Sequence, residues 1–256
     1  MNIVEYDSSA WDQLVKNKNR WTIPVTHVEI GRARFGDFSI VLTPELPVPR
    51  SWFPPLKGLK ILALASGGGQ QVPILAAAGA EVTVLDNSPA QLEQDQMVAN
   101  KNGLIITTVQ GDMANLNAFI NESFDLIFHP CSNCFAPSLI PVWSECSRVL
   151  KKGGVIMWGF TKAESYLVVN ESSGSDHFVL KYKMPYSDIE SLSEREREHF
   201  ITQKEPMIFG HSLNQQIGEL LRNGFQLTDL YEDDWGGQNP LDQYFKSFVA
   251  ARAVKM

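Results

Sequence analysis

Short apolar runs and helical segments alternate through the middle of the chain. The apolar pattern predicts five strands, at residues 61–65, 82–85, 104–109, 124–128 and 155–160. Continuous apolar runs of this length are typical of strands buried on both faces of a sheet. Helices are predicted at residues 70–78, 89–100 and 137–150, with Ser88 capping the second and Pro89 at its first position. This alternation predicts βαβ units, which form a parallel sheet with helices on both faces.

The two ends of the chain follow other patterns. Residues 9–18 predict a short helix capped by Ser8 or Ser9, and four prolines between residues 46 and 55 interrupt any regular element. Residues 162–208 are polar and show no periodicity. Apolar residues return at helical spacing over 213–222, and residues 225–231 and 244–253 predict two final strands.

Glycines and an acid follow the first two predicted strands. The turn at residues 65–69 brings backbone close to a ligand at the carboxyl end of the sheet, although a tight structural turn also favours glycine. Asp86 ends the second strand, where a carboxylate accepts both hydroxyls of a ribose; a neighbour of a helix cap is the alternative. Val72 stands where the dinucleotide fingerprint needs a small residue, which counts against NAD.

A second acid follows the third predicted strand. Asp112 is placed to accept the amino group of an adenine, and Met113 offers its backbone and apolar side chain to the ring. An aspartate after a strand is common by itself. Because parallel strands end at one edge of the sheet, the glycine turn, Asp86 and Asp112 are expected along a common rim.

Five successive motifs resemble one family. ILALASGGG, VTVLDNSPAQL, QGDM, FDLIFHPCSNCF and SRVLKKGGVIMWGF are similar to the motifs of class I S-adenosylmethionine (SAM)-dependent methyltransferases, in the methyltransferase type 11, UbiE-like group. The resemblance implies an α/β fold, a Rossmann-like three-layer sandwich. Its seven-stranded, mostly parallel sheet has the order 3-2-1-4-5-7-6 with strand seven antiparallel. It also implies SAM as cofactor and S-adenosylhomocysteine as product.

The resemblance implies a role for each motif residue. Expected against the methionine part of SAM are Ala65, Gly67 and Gly69; at the ribose, Asp86, Asn87 and Gln91; and at the adenine, Asp112 and Met113. His129 is expected beside the sulfonium and the substrate. It is a tentative general base if the acceptor must lose a proton, since histidine titrates near neutrality. The alternative is a histidine that packs against the cofactor or caps a loop.

The chain departs from the family in its first motif. Ala63 replaces the usual acid of strand one, and Ala65 replaces the first glycine of the turn. The missing acid orders the loop and the methionine amine in the family. Gln70, Gln71 or the N-terminal segment is the expected substitute.

We expect a single methyltransferase domain, residues 1–256, in four parts. They are an N-terminal extension or lid (1–58), the cofactor-binding core (59–161), a substrate-facing insertion (162–210) and a C-terminal helix with a strand pair (211–256). Tyr6, Trp11 and Trp21 give the lid aromatic faces that favour a sulfonium cation, with core packing as the rival interpretation. The insertion holds Tyr166, Tyr182 and Tyr186, which either line the acceptor pocket or pack elsewhere.

The charge and the cysteine content limit which binding partners and which compartment are expected. The formal net charge is −7 and no basic stripe is visible, which disfavours nucleic acid and favours a small-molecule methyl acceptor. Cys131 and Cys134 have CxxC spacing, but zinc needs about four ligands, so no metal site is expected. Three cysteines suit a reducing cytosol, and without a signal peptide or membrane-spanning segment a cytoplasmic protein is expected.

Two alternative functions stay open at this point. The first is a noncatalytic SAM-binding or regulatory protein, which Ala63 and Ala65 favour. The second is an NAD-dependent oxidoreductase, against which Val72 and the residues after the third strand count.

Overall fold

A seven-stranded sheet forms the centre of the computed structural model, which describes residues 1–170 and 177–256. Its strands are β1 (Lys60–Leu64), β2 (Glu81–Asp86), β3 (Ile106–Gln110), β4 (Phe124–His129), β5 (Leu150–Thr161), β10 (Phe225–Asp233) and β11 (Phe248–Lys255). The spatial order is β3-β2-β1-β4-β5-β11-β10. The first five strands run parallel, and β11 is antiparallel to both β5 and β10. The expected order and the antiparallel seventh strand are therefore confirmed.

The central strand shows why this sheet forms. Ile61 and Ala63 face one core cluster, and Leu62 and Leu64 face the other. All four side chains are fully buried. Because successive residues of a strand point to opposite faces, a continuous apolar run needs cover on both sides. The sheet is accordingly the middle layer of an α/β/α sandwich.

Eight α-helices surround the sheets of the described part. They are α1 (Ile3–Lys16), α2 (His27–Arg34), α3 (Gln71–Ala77), α4 (Pro89–Asn102), α5 (Ile140–Val149), α6 (Asp188–Ser191), α7 (Glu194–Gln203) and α8 (Glu219–Arg222). The start of α4 is as predicted, since Ser88 accepts the N–H of Gln91 at 3.1 Å and Pro89 is its first residue. The left-handed Gly103 ends the helix.

The predicted helix at residues 9–18 was placed too late. The helix α1 begins at Ile3 and is capped by Asn2, whose side chain accepts the N–H of Glu5. Ser8 lies inside α1 and donates its hydroxyl to the carbonyl of Asn87. A serine that bonds to another element gives no local sign that the helix has already begun.

Three further elements differ in detail from the prediction. The helix predicted over 213–222 is present, but its middle, Asn214–Gly218, is π-helical and only Glu219–Arg222 forms the α-helix α8. The last strand begins at Phe248 rather than at 244, because a 3-10 turn, Pro240–Gln243, precedes it. A helix was also predicted from residue 137, but α5 begins at Ile140.

The segment before β1 wraps around the sandwich. The helix α1 packs on α4, and α2 packs on α3. Ile30 and Ala33 of α2 belong to the same buried cluster as Ile61. No helix in the described ranges 1–170 and 177–256 is long and apolar enough to span a bilayer.

Residues 162–210 carry two small sheets outside the main one. One pairs β6 (Val168–Asn170) with β7 (Phe178–Leu180), and the other pairs β8 (Tyr186–Ser187) with β9 (Phe209–Gly210). Part of this predicted insertion, residues 171–176, lies outside the described residues.

Candidate active site

A cavity of about 620 Å³ opens at the carboxyl ends of the central parallel strands. Its wall includes seven of the residues expected from the sequence: Ala65, Gly67, Asp86, Asn87, Gln91, Asp112 and Met113. The other two, Gly69 and His129, are not among the residues that line it. Residues that follow β1, β2 and β3 are therefore brought together on one rim.

The glycine turn after β1 has an unusual backbone. Ala65, Gly68 and Gly69 have φ angles of 46°, 108° and 74°. A Cβ added at Gly67 would lie 2.7 Å from Cβ of Gln91 and 3.0 Å from Oδ2 of Asp86. Only glycine lets the turn approach α4 this closely.

Asp86 connects the turn to the next helix. Its Oδ2 accepts the N–H of Gly67 at 2.9 Å, and its Oδ1 accepts the N–H of Ser88 at 3.0 Å. Burial raises the pKa of Asp86 to about 6, although these N–H groups oppose the rise. Each carboxylate oxygen keeps a lone pair for a ligand that enters the cavity.

A second buried carboxylate was not predicted. Asp95 on α4 is fully buried, and its Oδ1 accepts the N–H of Gly69 at 3.0 Å. Burial, with the charge of Asp86 as a second cause, raises its pKa well above the ordinary value. Its sequence position, four residues after Gln91, puts both side chains on one helix face and is the signal that was available. Asp95 therefore holds Gly69 from behind the cavity wall.

The N-terminal segment closes the other side of the turn. Gln70 donates its side-chain amide to the carbonyls of Arg20 and Ile23 at 2.9 and 3.0 Å. The N–H of Val25 donates to the carbonyl of Gly69 at 2.9 Å. We call residues 20–25 the strap. Trp21 of the strap lines the cavity, as do Gln70 and Gln71.

The residues after β3 form the next part of the wall. Asp112 accepts the N–H of Ala114 through Oδ1 at 2.9 Å, which fixes the turn. The N–H of Gly111 donates to the backbone carbonyl of Asp86 at 3.0 Å. Met113 packs against the core cluster beneath the sheet.

His129, at the end of β4, is fully buried. Its Nδ1 lies 2.8 Å from the carbonyl oxygen of Leu64, and its Nε2 lies 2.6 Å from Oδ1 of Asn133. The Asn133 amide continues to Oε1 of Gln216 at 2.7 Å. Burial lowers the pKa of His129. Both ring nitrogens are thus engaged inside the protein.

Only some of the aromatic residues expected at the site line the cavity. Trp11, Trp21 and Tyr166 line the cavity. Tyr6 instead donates its hydroxyl to the carbonyl of Glu205 at 2.8 Å. Tyr186 stacks behind Tyr166 with ring centroids 5.6 Å apart. The third tyrosine of that segment, residue 182, packs edge-on against Tyr186 and is not among the lining residues.

Cys131 and Cys134 lie in the cavity wall after β4. Burial raises the pKa of Cys134 to about 12 and raises the pKa of Cys131 well above its ordinary value, so both are neutral thiols at pH 7. Within the described residues, histidine, cysteine and acidic side chains form no group of three or more that would hold a metal ion.

Comparison with known proteins shows which family the sequence matches. Residues 62–158 match the family described as Methyltransferase domain. The uncharacterized methyltransferase YbaJ of Bacillus subtilis (strain 168) is 46% identical over 254 residues, which covers 99% of each chain.

Solved structures agree on the fold. A SAM-dependent methyltransferase from Mesorhizobium loti aligns with a TM-score of 0.63 at 16% identity, covering 80% of this chain and 95% of that one. A putative SAM-dependent methyltransferase from Listeria monocytogenes gives a TM-score of 0.63 at 16% identity, with coverage of 81% and 94%.

Proposed function

The chain belongs to the class I SAM-dependent methyltransferases, and from that premise we propose that it methylates a small-molecule acceptor. SAM, when bound, supplies a methyl group that is activated by its sulfonium. The protein then contributes mainly position and the exclusion of water. A cavity of about 620 Å³ has the size that small-ligand sites usually have.

The observation that carries the proposal is the shared rim after three neighbouring strands. We propose that Asp86, with Asn87 and Gln91, holds the ribose hydroxyls. Asp112 and Met113 would frame the adenine, and Ala65 and Gly67 would lie along the methionine part. The side chains of Ser66 and Gln91 support the fit, because Oγ of Ser66 and Oε1 of Gln91 are buried at the cavity and have no hydrogen-bond partner among the described residues.

Gly69 and His129 would act on this site indirectly. Gly69 lies between Asp95 and the strap, so its proposed role is to fix the turn that contacts the methionine part. His129 would be a positioning residue that ties the end of β1 to Asn133 in the loop after β4.

The strap offers a replacement for the acid missing at Ala63. Gln70 donates its side-chain amide to two strap carbonyls, and Trp21 lines the cavity. We propose that the strap, rather than a side chain of β1, encloses the methionine end. The aromatic faces of Trp11 and Trp21 would favour the sulfonium cation.

Calorimetric titration of the whole chain tests the cofactor assignment. We expect SAM and S-adenosylhomocysteine to bind and NAD to give no heat. The variant Asp86→Asn should bind SAM about 10- to 100-fold more weakly, because a charged acceptor of the ribose hydroxyls is lost. Glu81→Gln, an exposed acid at the start of the same strand, is the matched control and should bind normally.

The pH dependence gives a second readout. A carboxyl with a pKa of about 6 is mostly neutral at pH 5, so we expect weaker SAM binding at pH 5 than at pH 8. The Asp86→Asn variant should lose that difference. Equal affinity of wild type and Asp86→Asn at pH 8 would remove Asp86 from the cofactor site.

A further inference from the structure

The part of the cavity away from the cofactor residues is lined by hydroxyl and aromatic side chains. We call it the acceptor end and define it by Thr161, Ser165, Tyr166, Trp235, Ser247 and Phe248. Thr161 closes β5 and pairs with Phe248, the first residue of β11. Ser165 and Tyr166 lie in the 3-10 turn that follows β5. The antiparallel neighbours β5 and β11, with the turn after β5, thus form much of this end.

Within the described part of the chain, the residues that line the acceptor end have no ionic side chain. The guanidinium of Arg20 lies 5.9 Å from the Trp235 ring centroid but is outside this lining and is paired with Glu45. Among the described residues that line the cavity, Asp86 and Asp112 are the only aspartate, glutamate, lysine, arginine or histidine residues, and both lie at the cofactor end. A charged acceptor would therefore lose its water without gaining an opposite charge. Taking an unpaired charge out of water is strongly unfavourable.

The acceptor end also has no side chain suited to removing a proton at pH 7. Among the described residues that line this part of the cavity, the groups that titrate are Tyr166, Cys131 and Cys134. Asp7, Asp188 and Asp233 act on the two thiols through their charges but do not line the cavity. Burial raises the pKa of all three, so they stay protonated. The acceptor atom must then be nucleophilic without first giving a proton to the protein.

Two hydroxyls at this end lack partners. The Oγ atoms of Ser247 and Ser165 are buried and accept or donate no hydrogen bond within the described protein. Ser247 is only 1% exposed. Buried hydroxyls are normally paired, so these two are suited to a polar group that a ligand brings.

Aromatic rings form the rest of the wall. Trp235 and Phe248 meet edge to face with centroids 4.7 Å apart. Tyr166 is held from behind by Tyr186 and by Gly210, where a Cβ would lie 2.9 Å from the Tyr166 ring. The rings are thus fixed before a ligand arrives.

We infer that the acceptor is an uncharged, mostly apolar molecule that carries a hydroxyl or carbonyl oxygen recognised by Ser247 and Ser165. This inference rests on the proposed methyltransferase function. The acceptor atom donates a lone pair or π electrons to the methyl carbon, and the electrons of the broken carbon–sulfur bond stay on sulfur. The positive charge passes to the methylated acceptor, which lies within the aromatic wall, and any proton is lost to water.

Fractionated metabolite extract tests the charge of the acceptor. A cell extract is passed over a mixed anion and cation exchanger at pH 7, and each fraction is incubated with the whole chain and methyl-labelled SAM. We expect label to enter the unretained, neutral fraction. Label that enters only a retained fraction overturns the inference and leaves the methyltransferase function standing. No transfer into any fraction contradicts the proposed function itself.

Serine variants test the oxygen recognition. With the neutral fraction, Ser247→Ala and Ser165→Ala should each raise KM about 10-fold, with little change in kcat and an unchanged Kd for SAM by calorimetry. Ser144→Ala, an exposed serine on α5, is the matched control and should behave as wild type. An unaltered KM in both cavity variants overturns the recognition by these hydroxyls. The unchanged Kd for SAM shows that each variant is folded.

Discussion

Ala65 is a non-glycine residue in the left-handed region, with φ at 46°. The left-handed conformation costs a residue with a Cβ about 1–2 kcal/mol, and glycine avoids this cost. The greater backbone freedom of glycine in the unfolded chain offsets only part of that gain. We expect Ala65→Gly to raise the free energy of unfolding by about 0.5 kcal/mol, measured by urea denaturation.

Ala63 provides the control, two residues earlier in β1. It is fully buried in ordinary strand geometry, so Ala63→Gly should lower the free energy of unfolding by about 1.5 kcal/mol. If the two variants lose similar stability, the backbone at Ala65 is not strained.

His129 allows base and positioning roles to be separated. A general base contributes about 10²–10⁴-fold to the rate and leaves its pKa in the pH profile. We expect His129→Asn to lower the free energy of unfolding by about 2 kcal/mol, because a buried hydrogen-bonded ring is lost. Initial rates of labelled methyl transfer into the neutral extract fraction should keep the pH profile of the wild type.

The matched control is another buried histidine. Nε2 of His211 lies 2.9 Å from the carbonyl oxygen of Ala136, and burial lowers its pKa as well. His211→Asn should cost similar stability. A rate loss of 100-fold or more with an altered pH profile in His129→Asn alone would make His129 a catalytic residue.

At the scale of elements, Asp7 joins α1 to the segment that precedes β9. This residue is 1% exposed, and its Oδ1 accepts the N–H of Met207 at 2.9 Å. Burial raises the pKa of Asp7 to about 7. For an acid with a raised pKa, the folded state binds more protons than the unfolded state. The free energy of unfolding therefore falls as pH rises from about 4 to about 7.

The variant Asp7→Asn keeps the acceptor oxygen but removes this titration. We expect it to stabilise the protein by about 2 kcal/mol more at pH 8 than at pH 5, measured by urea denaturation at both values. Glu5→Gln, an exposed acid on the same helix, should show no such pH difference. The same gain at both pH values would mean that Asp7 does not ionise within the folded protein near pH 7.

The elements of the core were predictable because each carries its own local pattern. Apolar runs identified β1, β2 and β4, and Ser88 with Pro89 identified the start of α4. The glycine turn and Asp86 then followed from where those strands end. The positions of Asp86 and Asp112 on one rim needed only the parallel order of the strands.

The residues that escaped prediction have partners far along the chain. Asp95 was missed because its hydrogen-bond partner, the N–H of Gly69, belongs to the turn after β1 and not to its own helix. Ser165 and Ser247 line the same cavity because β5 pairs with β11. No local spacing indicates this, so the acceptor end required the structure.

The cavity wall draws on parts of the molecule that are distant in sequence. The described lining residues range from Val4 to Phe248 and include Trp21 of the strap and residues of the loop after β4 and the turn after β5. A ligand that contacts all of them stabilises the folded state relative to local openings.

Hydrogen exchange measures that effect over the whole molecule. With S-adenosylhomocysteine at about 100 times its Kd, we expect the free energy of unfolding to rise by about 2.7 kcal/mol. Amide exchange should slow in the strap and in the glycine turn. NAD at the same concentration is the control and should leave exchange unchanged, whereas protection confined to α7 would place the ligand elsewhere.

The long contacts of the N-terminal segment constrain how the protein is made. Oδ2 of Asp233 accepts the N–H groups of Glu45 and Leu46, and the carbonyl of Trp52 accepts from Arg252, 200 positions away. A ribosome releases the early residues long before these partners exist. The nascent chain therefore lacks part of the cavity wall until synthesis is nearly complete. A product truncated before β10 would lack the groups that hold its N-terminal segment in place.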